Sequence, residues 1–225
     1  MRTLVVQAFV SLDGVMQAPG GPDEDPTGGF KHGGWAVPYW DDAMMDRIAS
    51  SAPYELLLGR GTYEIFAAHW PYAEAGPIAD HLNATRKHVA STTLERVDWS
   101  NSTLIAGDVV GYVAELTRQD GPEIQVHGSP RLIQTLLRND LVDELRVWTF
   151  PVLLGTGKRL FDDGTVPAAL ALAANDVSAT GVTISTYRRA GAVEPGSFEF
   201  DEPTDAELER RRRLVAREPR ATRHS

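Results

Sequence analysis

The sequence predicts an α/β protein: a mixed, mainly parallel sheet flanked by helices, closed by antiparallel edge strands. Three observations carry this. Short apolar or β-branched runs alternate with stretches of helical periodicity through the middle of the chain. Two runs end in a glycine just ahead of a helix start, at Leu58-Gly59-Arg60-Gly61-Thr62 and Val126-His127-Gly128-Ser129-Pro130. The final two runs, Leu170–Val177 and Val182–Arg188, follow each other around Ser178–Gly181 with no helix between them, which is a hairpin.

Thr3–Val10 opens the chain as a strand of apolar and β-branched residues. Gln17–Pro38 follows, with six glycines, four prolines and the acids Asp23, Glu24 and Asp25. A connection this long inside a compact domain is functional or disordered, and the aromatics Phe30, Trp35, Tyr39 and Trp40 imply that part of it packs down. Asp41–Ser50 has helical spacing at Met44, Met45 and Ile48. Tyr54–Leu58 is the next strand, leading into a short helix from Thr62 to about Ala68. Lys87–Ser91 and Thr103–Ala106 are short strands. Asp108 caps a helix that runs to about Arg118, with Val109, Val113 and Leu116 on one face. Glu123–His127 is a strand. Ser129 as N-cap and Pro130 at the first helical position open a helix with the stripe Leu132, Ile133, Leu136 and Leu137. Glu144–Phe150 is a strand, and Val152–Leu160 contains a glycine turn. The domain is expected to span residues 1–190. Residues 191–225 form a charged tail, partly helical or disordered, with Thr204…Glu207 resembling a capping box ahead of the basic run Arg210–Arg213.

Composition narrows the classes. With 225 residues, 42% of them hydrophobic and 24% charged, the chain reads as soluble and globular. It has no cysteine, which removes disulfides and thiolate metal sites. No apolar stretch approaches the ~18 residues needed to span a membrane, so no membrane partner is expected and the cytoplasm is the default location. The net charge is −9. An acidic protein lacks the broad basic face that nucleic-acid binding needs. A phosphate-bearing ligand must then be held by a few local donors.

Such donors gather at strand ends. In Gly59-Arg60-Gly61-Thr62 the glycines admit close backbone approach, a helix N-terminus offers free N–H groups to an anion, and Arg60 presents a planar fork for phosphate. Ser91-Thr92-Thr93 places three hydroxyls where a strand stops, which either caps a turn or lines a ligand. His127-Gly128-Ser129 is either a tight connection or a pyrophosphate seat. Three such ends together favour a nucleotide across the carboxyl edge of the sheet. Competing motifs fail. No G-x-G-x-x-G follows the first strand. Gly155-Thr156-Gly157-Lys158 lacks both the first glycine of a Walker sequence, replaced by Val152, and its Ser or Thr, replaced by Arg159. Ser129 lacks the G-x-S-x-G setting of a hydrolase nucleophile. His32, His69, His81, His88 and His127 form no H-E-x-x-H pattern, so no metal is expected.

The chain resembles the dihydrofolate reductase-like superfamily and, more narrowly, stand-alone bacterial relatives of the reductase domain of the bifunctional riboflavin-biosynthesis deaminase/reductase. The matching residues are Ser11-Leu12-Asp13-Gly14-Val15-Met16, Leu58–Tyr63, Val126–Ser129, Leu141–Leu145 and Pro151–Phe161. The resemblance covers about residues 1–190 and implies a dihydrofolate reductase-like sheet, an NADPH site and a homodimer. It implies that Arg60 pairs with the adenosine 2′-phosphate, that Thr62, Gly128 and Ser129 lie at the pyrophosphate, and that Ser91 and Thr92 line the adenosine side. Ala8 and the Ser11–Met16 loop, with Asp13 and Gly14, would border the nicotinamide. Gly59, Gly61 and His127 complete the cofactor set. Asp41 and Asp42 fall where dihydrofolate reductase carries its pterin-binding carboxylate, although Asp41 also suits a helix cap and Asp42 the positive helix end.

The resemblance implies hydride transfer from NADPH to a small heterocycle, pteridine- or ribosylaminopyrimidine-like. Asp42 or Asp41 would handle a polar substrate edge or a proton. Trp35, Tyr39 and Trp40 would wall a flat ring, and the glycine-rich loop would serve as a lid. The rival class is a nucleotide-binding or sensory module that kept the fold without turnover.

Overall fold

The computed structural model describes residues 1–49, 53–161, 163, 165–198 and 202–217. The chain divides into two compact units, Met1–Ala192 and Val193–Ser225. The first unit is built on one eight-stranded sheet, with β1 Leu4–Ser11, β2 Tyr54–Gly59, β3 Lys87–Ala90, β4 Ser102–Ile105, β5 Glu123–Val126, β6 Glu144–Phe150, β7 Leu170–Val177 and β8 Thr183–Arg189. Their order is β4-β3-β2-β5-β1-β6-β8-β7. The first six are parallel, and β8 and β7 run antiparallel at one edge. This is the dihydrofolate reductase-like arrangement that the sequence predicts. The helices are α1 Asp42–Ala49, α2 Arg60–His69, α3 Pro77–Ala84, α4 Val109–Arg118 and α5 Pro130–Arg138.

Parallel strands must be covered on both faces, and the two faces are covered differently. On one face Leu4, Val6, Val10, Leu57, Ile124 and Val126 pack against Val113 and Leu116 of α4 and Ile133 and Leu136 of α5 in a single cluster. The other face carries two separate clusters. Trp148, Phe150 and Val182 meet Phe30, Trp35 and Met44 at the β1–β6–β8 end. Leu56, Leu58 and Val89 meet Tyr63, Leu82 and Trp99 at the β2–β3 end. Between them the strands present Gln7, Glu123, Gln125, Glu144 and Arg146. Of these, Gln7 lines a cleft on that face, while Gln125 and Glu144 are buried.

Several local expectations are refined. The helix after β2 starts at Arg60 rather than Thr62, so Gly59 is its N-cap. Helix α3 was not anticipated; Gly76-Pro77 is the start signal that marks it. Asp108 caps α4 by accepting from the Gly111 N–H at 3.0 Å. Ser129 holds the N-cap position of α5 but makes no side-chain cap bond. Ser50, at the expected end of the first helix, lies outside the described residues.

The glycine-rich loop is folded. The Gln17 amide donates to the carbonyls of Asp25 and Thr27 (both 2.9 Å) and accepts from the Lys158 N–H at 2.9 Å. The Trp35 indole donates to the Gln17 carbonyl at 2.7 Å, and Lys158 pairs with Asp25 at 2.5 Å. The loop expected to act as a lid is tied to the 154–160 turn at Lys158 and lines the cleft.

In the second unit, α6 Asp205–Arg217 carries its own ion pairs, Glu207 with Arg210 and Arg211 and Glu209 with Arg213. The Thr204 hydroxyl accepts from the Glu207 N–H at 3.3 Å, which is one half of a capping box. The expected disorder at the chain end falls on 218–225, outside the described residues.

Candidate active site

The cleft is open at the carboxyl ends of β2, β3 and β5, where three strand ends meet. Gly59 is fixed there by a backbone bond to the Gly128 carbonyl at 3.0 Å. A Cβ on Gly59 would stand 2.3 Å from Ser129 Oγ, and one on Gly128 would stand 2.5 Å from Thr62 Oγ1. These two glycines are therefore packing requirements that bring the starts of α2 and α5 together. Gly61 is different, since nothing lies within 4 Å of the position its Cβ would take. Neither helix start has a side-chain cap, Gly59 having no side chain and Ser129 turning away. The first-turn N–H groups of both helices are left open to the cleft, an anion-binding arrangement.

Arg60 stands beside them, half exposed, donating from Nε to Glu64 at 2.8 Å and from Nη1 to the Thr93 hydroxyl at 2.7 Å. It thus joins the ends of β2 and β3. Ser91 Oγ accepts from the N–H groups of Thr93 (3.2 Å) and Leu94 (3.0 Å), so this hydroxyl shapes the turn.

Of the residues singled out from sequence, Gly59, Arg60, Gly61, Thr62, Ser91, Thr92, His127, Ser129 and Trp40 line the cleft. The others serve its frame. Ala8 is 2% exposed and points into the opposite core, because strand parity sends it there and sends Gln7 and Phe9 to the cleft. Asp13 binds inside the loop turns: it accepts from Ser11 Oγ at 2.6 Å and from the N–H groups of Leu154 (3.1 Å) and Gly155 (2.8 Å). The Ser11 bond leads these in holding its carboxyl at about 2 against some desolvation. Gly14, at φ 84°, makes the turn itself. Asp41 Oδ1 accepts from the Met44 N–H at 2.9 Å, and Oδ2 from the Ala179 N–H at 3.2 Å, so it caps α1 and ties it to the β7–β8 turn. Asp42 is exposed in the first turn of α1. Trp35 is buried, and the Tyr39 ring meets Phe150 edge-on. The carboxylates that do line the cleft are Asp23, Glu24 and Asp25 of the folded loop. Burial drives Glu24 up, although it accepts from the Gly20 and Gly21 N–H groups.

His127 sits between Tyr54 and Phe66, with ring centroids 6.0 and 6.2 Å away. Desolvation takes its imidazole down to about 4, with the Glu123 charge opposing, so the ring is neutral at pH 7. Sequence reasoning missed Gln7, Phe9, Phe66 and Arg131, which also line the cleft; for Gln7 and Phe9 the strand alternation was a usable signal. Among the described residues no group of His, Asp and Glu is placed to hold a metal, and no helix is long and apolar enough to cross a membrane.

A mainly parallel sheet with an antiparallel edge and a cleft at strand ends that open onto helix N-termini is a dihydrofolate reductase-like fold. The model of the RibD C-terminal domain matches residues 2–185, and the chain belongs to that family. The uncharacterised protein YyaP of Bacillus subtilis (strain 168) is 26% identical over 170 residues, covering 72% of this chain and 81% of YyaP. A Shewanella sp. PV-4 protein named for riboflavin biosynthesis superimposes with TM-score 0.61 at 22% identity, over 84% of this chain and 99% of its own. Dihydrofolate reductase from Enterococcus faecalis, in complex with NADP(H) and RAB-propyl, superimposes with TM-score 0.52 at 15% identity, over 83% of this chain and 96% of its own. At these identities the structural likenesses establish the fold.

Proposed function

We propose that this chain is a cytoplasmic NADPH-dependent reductase acting on a small flat heterocycle of pteridine or ribosylaminopyrimidine type. The observation that carries the reading is the pair of uncapped helix starts, α2 and α5, opening side by side on one cleft with Arg60 at their edge. NADPH, when bound, supplies the hydride. The chain's own groups position it. The N–H groups at Gly61 and Thr62 and in the first turn of α5 receive the pyrophosphate, together with the Thr62 hydroxyl. Arg60 turns from Glu64 and Thr93 to the 2′-phosphate, while Ser91 and Thr92 border the adenosine. Phe9, Trp40 and Phe66 exclude water from the reacting ring. Asp41 and Asp42 serve helix α1 in this reading rather than the chemistry.

Arg60→Ala tests it. The loss of a charge-assisted contact should weaken NADPH about tenfold or more while NADH changes by less than about twofold. Equal weakening of both in a titration would remove the 2′-phosphate role. A non-catalytic nucleotide-binding module is the rival, favoured by the absence of Asp41 and Asp42 from the cleft lining. NADPH binding without oxidation in the presence of pteridine or ribosylaminopyrimidine substrates would select it.

A homodimer is part of the same proposal. Edge strand β7 is exposed along its whole length and turns Leu170, Leu172 and Val177 outward, a template that a second copy can pair with. Light scattering on the purified chain should give twice the 24.6 kDa mass; a monomer at micromolar concentration would rule the dimer out.

A further inference from the structure

Two neighbouring polar side chains on the cleft floor hold hydrogen-bonding atoms that no described residue satisfies. Val6 of β1 pairs with Val126 at the end of β5, so Gln7 and His127 are the next residues along the two adjacent strands, and both face the cleft. Both are half-buried and line the cleft. The Gln7 amide makes no hydrogen bond within the described residues, and neither does His127 Nδ1.

The remaining nitrogen of His127 is assigned by a chain of bonds. Arg146 forks onto Glu123 at 2.7 and 2.9 Å. Burial pushes the Glu123 carboxyl up, but the Arg146 and Gln125 bonds outweigh it and keep it ionised. A carboxylate only accepts, so Gln125 must turn its NH2 to Glu123, at 2.6 Å. Its carbonyl oxygen then faces His127 Nε2 at 2.8 Å. A carbonyl also only accepts, so Nε2 carries the proton and Nδ1 keeps a lone pair. The cleft floor therefore offers an acceptor at His127 beside a donor and an acceptor at Gln7. Its walls are aromatic: Phe9 and Trp40 meet edge-on at 5.4 Å, and Phe66 stands over His127.

We infer that Gln7 and His127 form a recognition edge for a cis-amide group, a lactam or ureide N–H beside its C=O, on a flat heterocycle. His127 Nδ1 accepts from the ring N–H, and the Gln7 NH2 donates to the adjacent carbonyl. A ring whose nitrogen carries a methyl cannot donate to Nδ1, and the methyl holds its carbonyl away from the Gln7 NH2, so both groups stay unpaired in a sheltered site. The inference rests on the reductase reading only for placing this ring next to the cofactor.

The test is equilibrium binding to the full chain, with and without saturating NADPH, of two ring pairs: 5,6-diaminouracil against its 1,3-dimethyl form, and lumazine against 1,3-dimethyllumazine. The wild type should prefer the N–H form of at least one pair by about tenfold or more. Gln7→Leu and His127→Phe should each bring that preference below about threefold, and Gln7→Glu, whose carboxylate cannot donate to the ring carbonyl, should do the same. Thermal melts and NADPH titrations of the variants separate misfolding from lost recognition. Equal affinity within both pairs, failure of all four rings to bind, or a preference that survives in both Gln7→Leu and His127→Phe would overturn the inference. If the preference stands but NADPH does not bind, the cofactor reading fails alone; if NADPH binds and no preference is seen, this inference fails alone.

Discussion

Gly59→Ala should lose about 3 kcal/mol of stability, at the upper end of what overpacking costs, and melt roughly 10 °C below the parent. The backbone at Gly59, φ −74° and ψ 160°, suits any residue, so the effect comes from space alone. The new methyl would meet Ser129 Oγ at 2.3 Å, the Ser129 N at 2.9 Å and its Cβ at 3.2 Å. Adding Ser129→Gly removes the side-chain part of that collision but not the contact with the backbone nitrogen, so rescue should be partial. Gly61→Ala is the control. Open space surrounds that position, and alanine gains about 0.5–1 kcal/mol over glycine within a helix. It should therefore hold or raise the melting temperature while weakening NADPH, if the cofactor approaches Gly61 as proposed above. A Gly59→Ala protein that melts with the parent would contradict the described junction of β2 with α5.

Acid should destabilise the protein between pH 6.5 and about 4, with His127 as a major contributor. The folded pKa is about 4 against 6.5 for the free side chain, and burial is the leading cause. In that window the unfolded chain takes up a proton that the folded chain refuses. The stability contributed by a neutral His127 is therefore full above pH 6.5 and lost as the pH falls through about 4. The shift corresponds to at most roughly 3 kcal/mol. His88 and His81 are also lowered, chiefly by burial, and act with the same sign. Across the packed elements His127 faces Glu123, whose charge opposes the shift, and Tyr54, whose phenol burial raises to about 12. Urea unfolding at pH 7, 5.5 and 4.5 should show a shallower decline for His127→Phe than for the parent. Parallel declines would mean that the ring is not held neutral by burial.

Much of the sheet was legible because its strands are apolar runs and its helices carry periodic stripes. Leu4–Val6 and Leu56–Leu58 are fully buried, and the Asp108 cap is where the residue types require it. Helix α3 escaped because its apolar stripe is short, Ala79 and Leu82 being its buried residues. The candidate site was legible where chemistry sits at a strand end, as at Arg60, Thr62 and Ser129. Other residues that the resemblance implied have structural partners away from the cleft. Asp13 and Asp41 are carboxylates near a cleft, yet both spend their oxygens on backbone N–H groups of distant segments. Ala8 turns its side chain to the opposite core, and its neighbours Gln7 and Phe9 face the cleft.

Periodicity, turn residues and the absence of cysteine are local properties, so the sequence by itself determined the α/β class, the order of the elements and the strand ends that could hold an anion. Only the tertiary structure decided how two glycines in one turn divide their duties. Gly59 is required because Ser129, seventy residues on, packs against it, and Gly61 is open because nothing does. The same holds for the cleft floor. Gln7 and His127 become a pair through the register of β1 on β5, and the bond chain from Arg146 to Gln125 orients His127. Such long-range contacts depend on how distant segments pack, which no local pattern in the chain encodes.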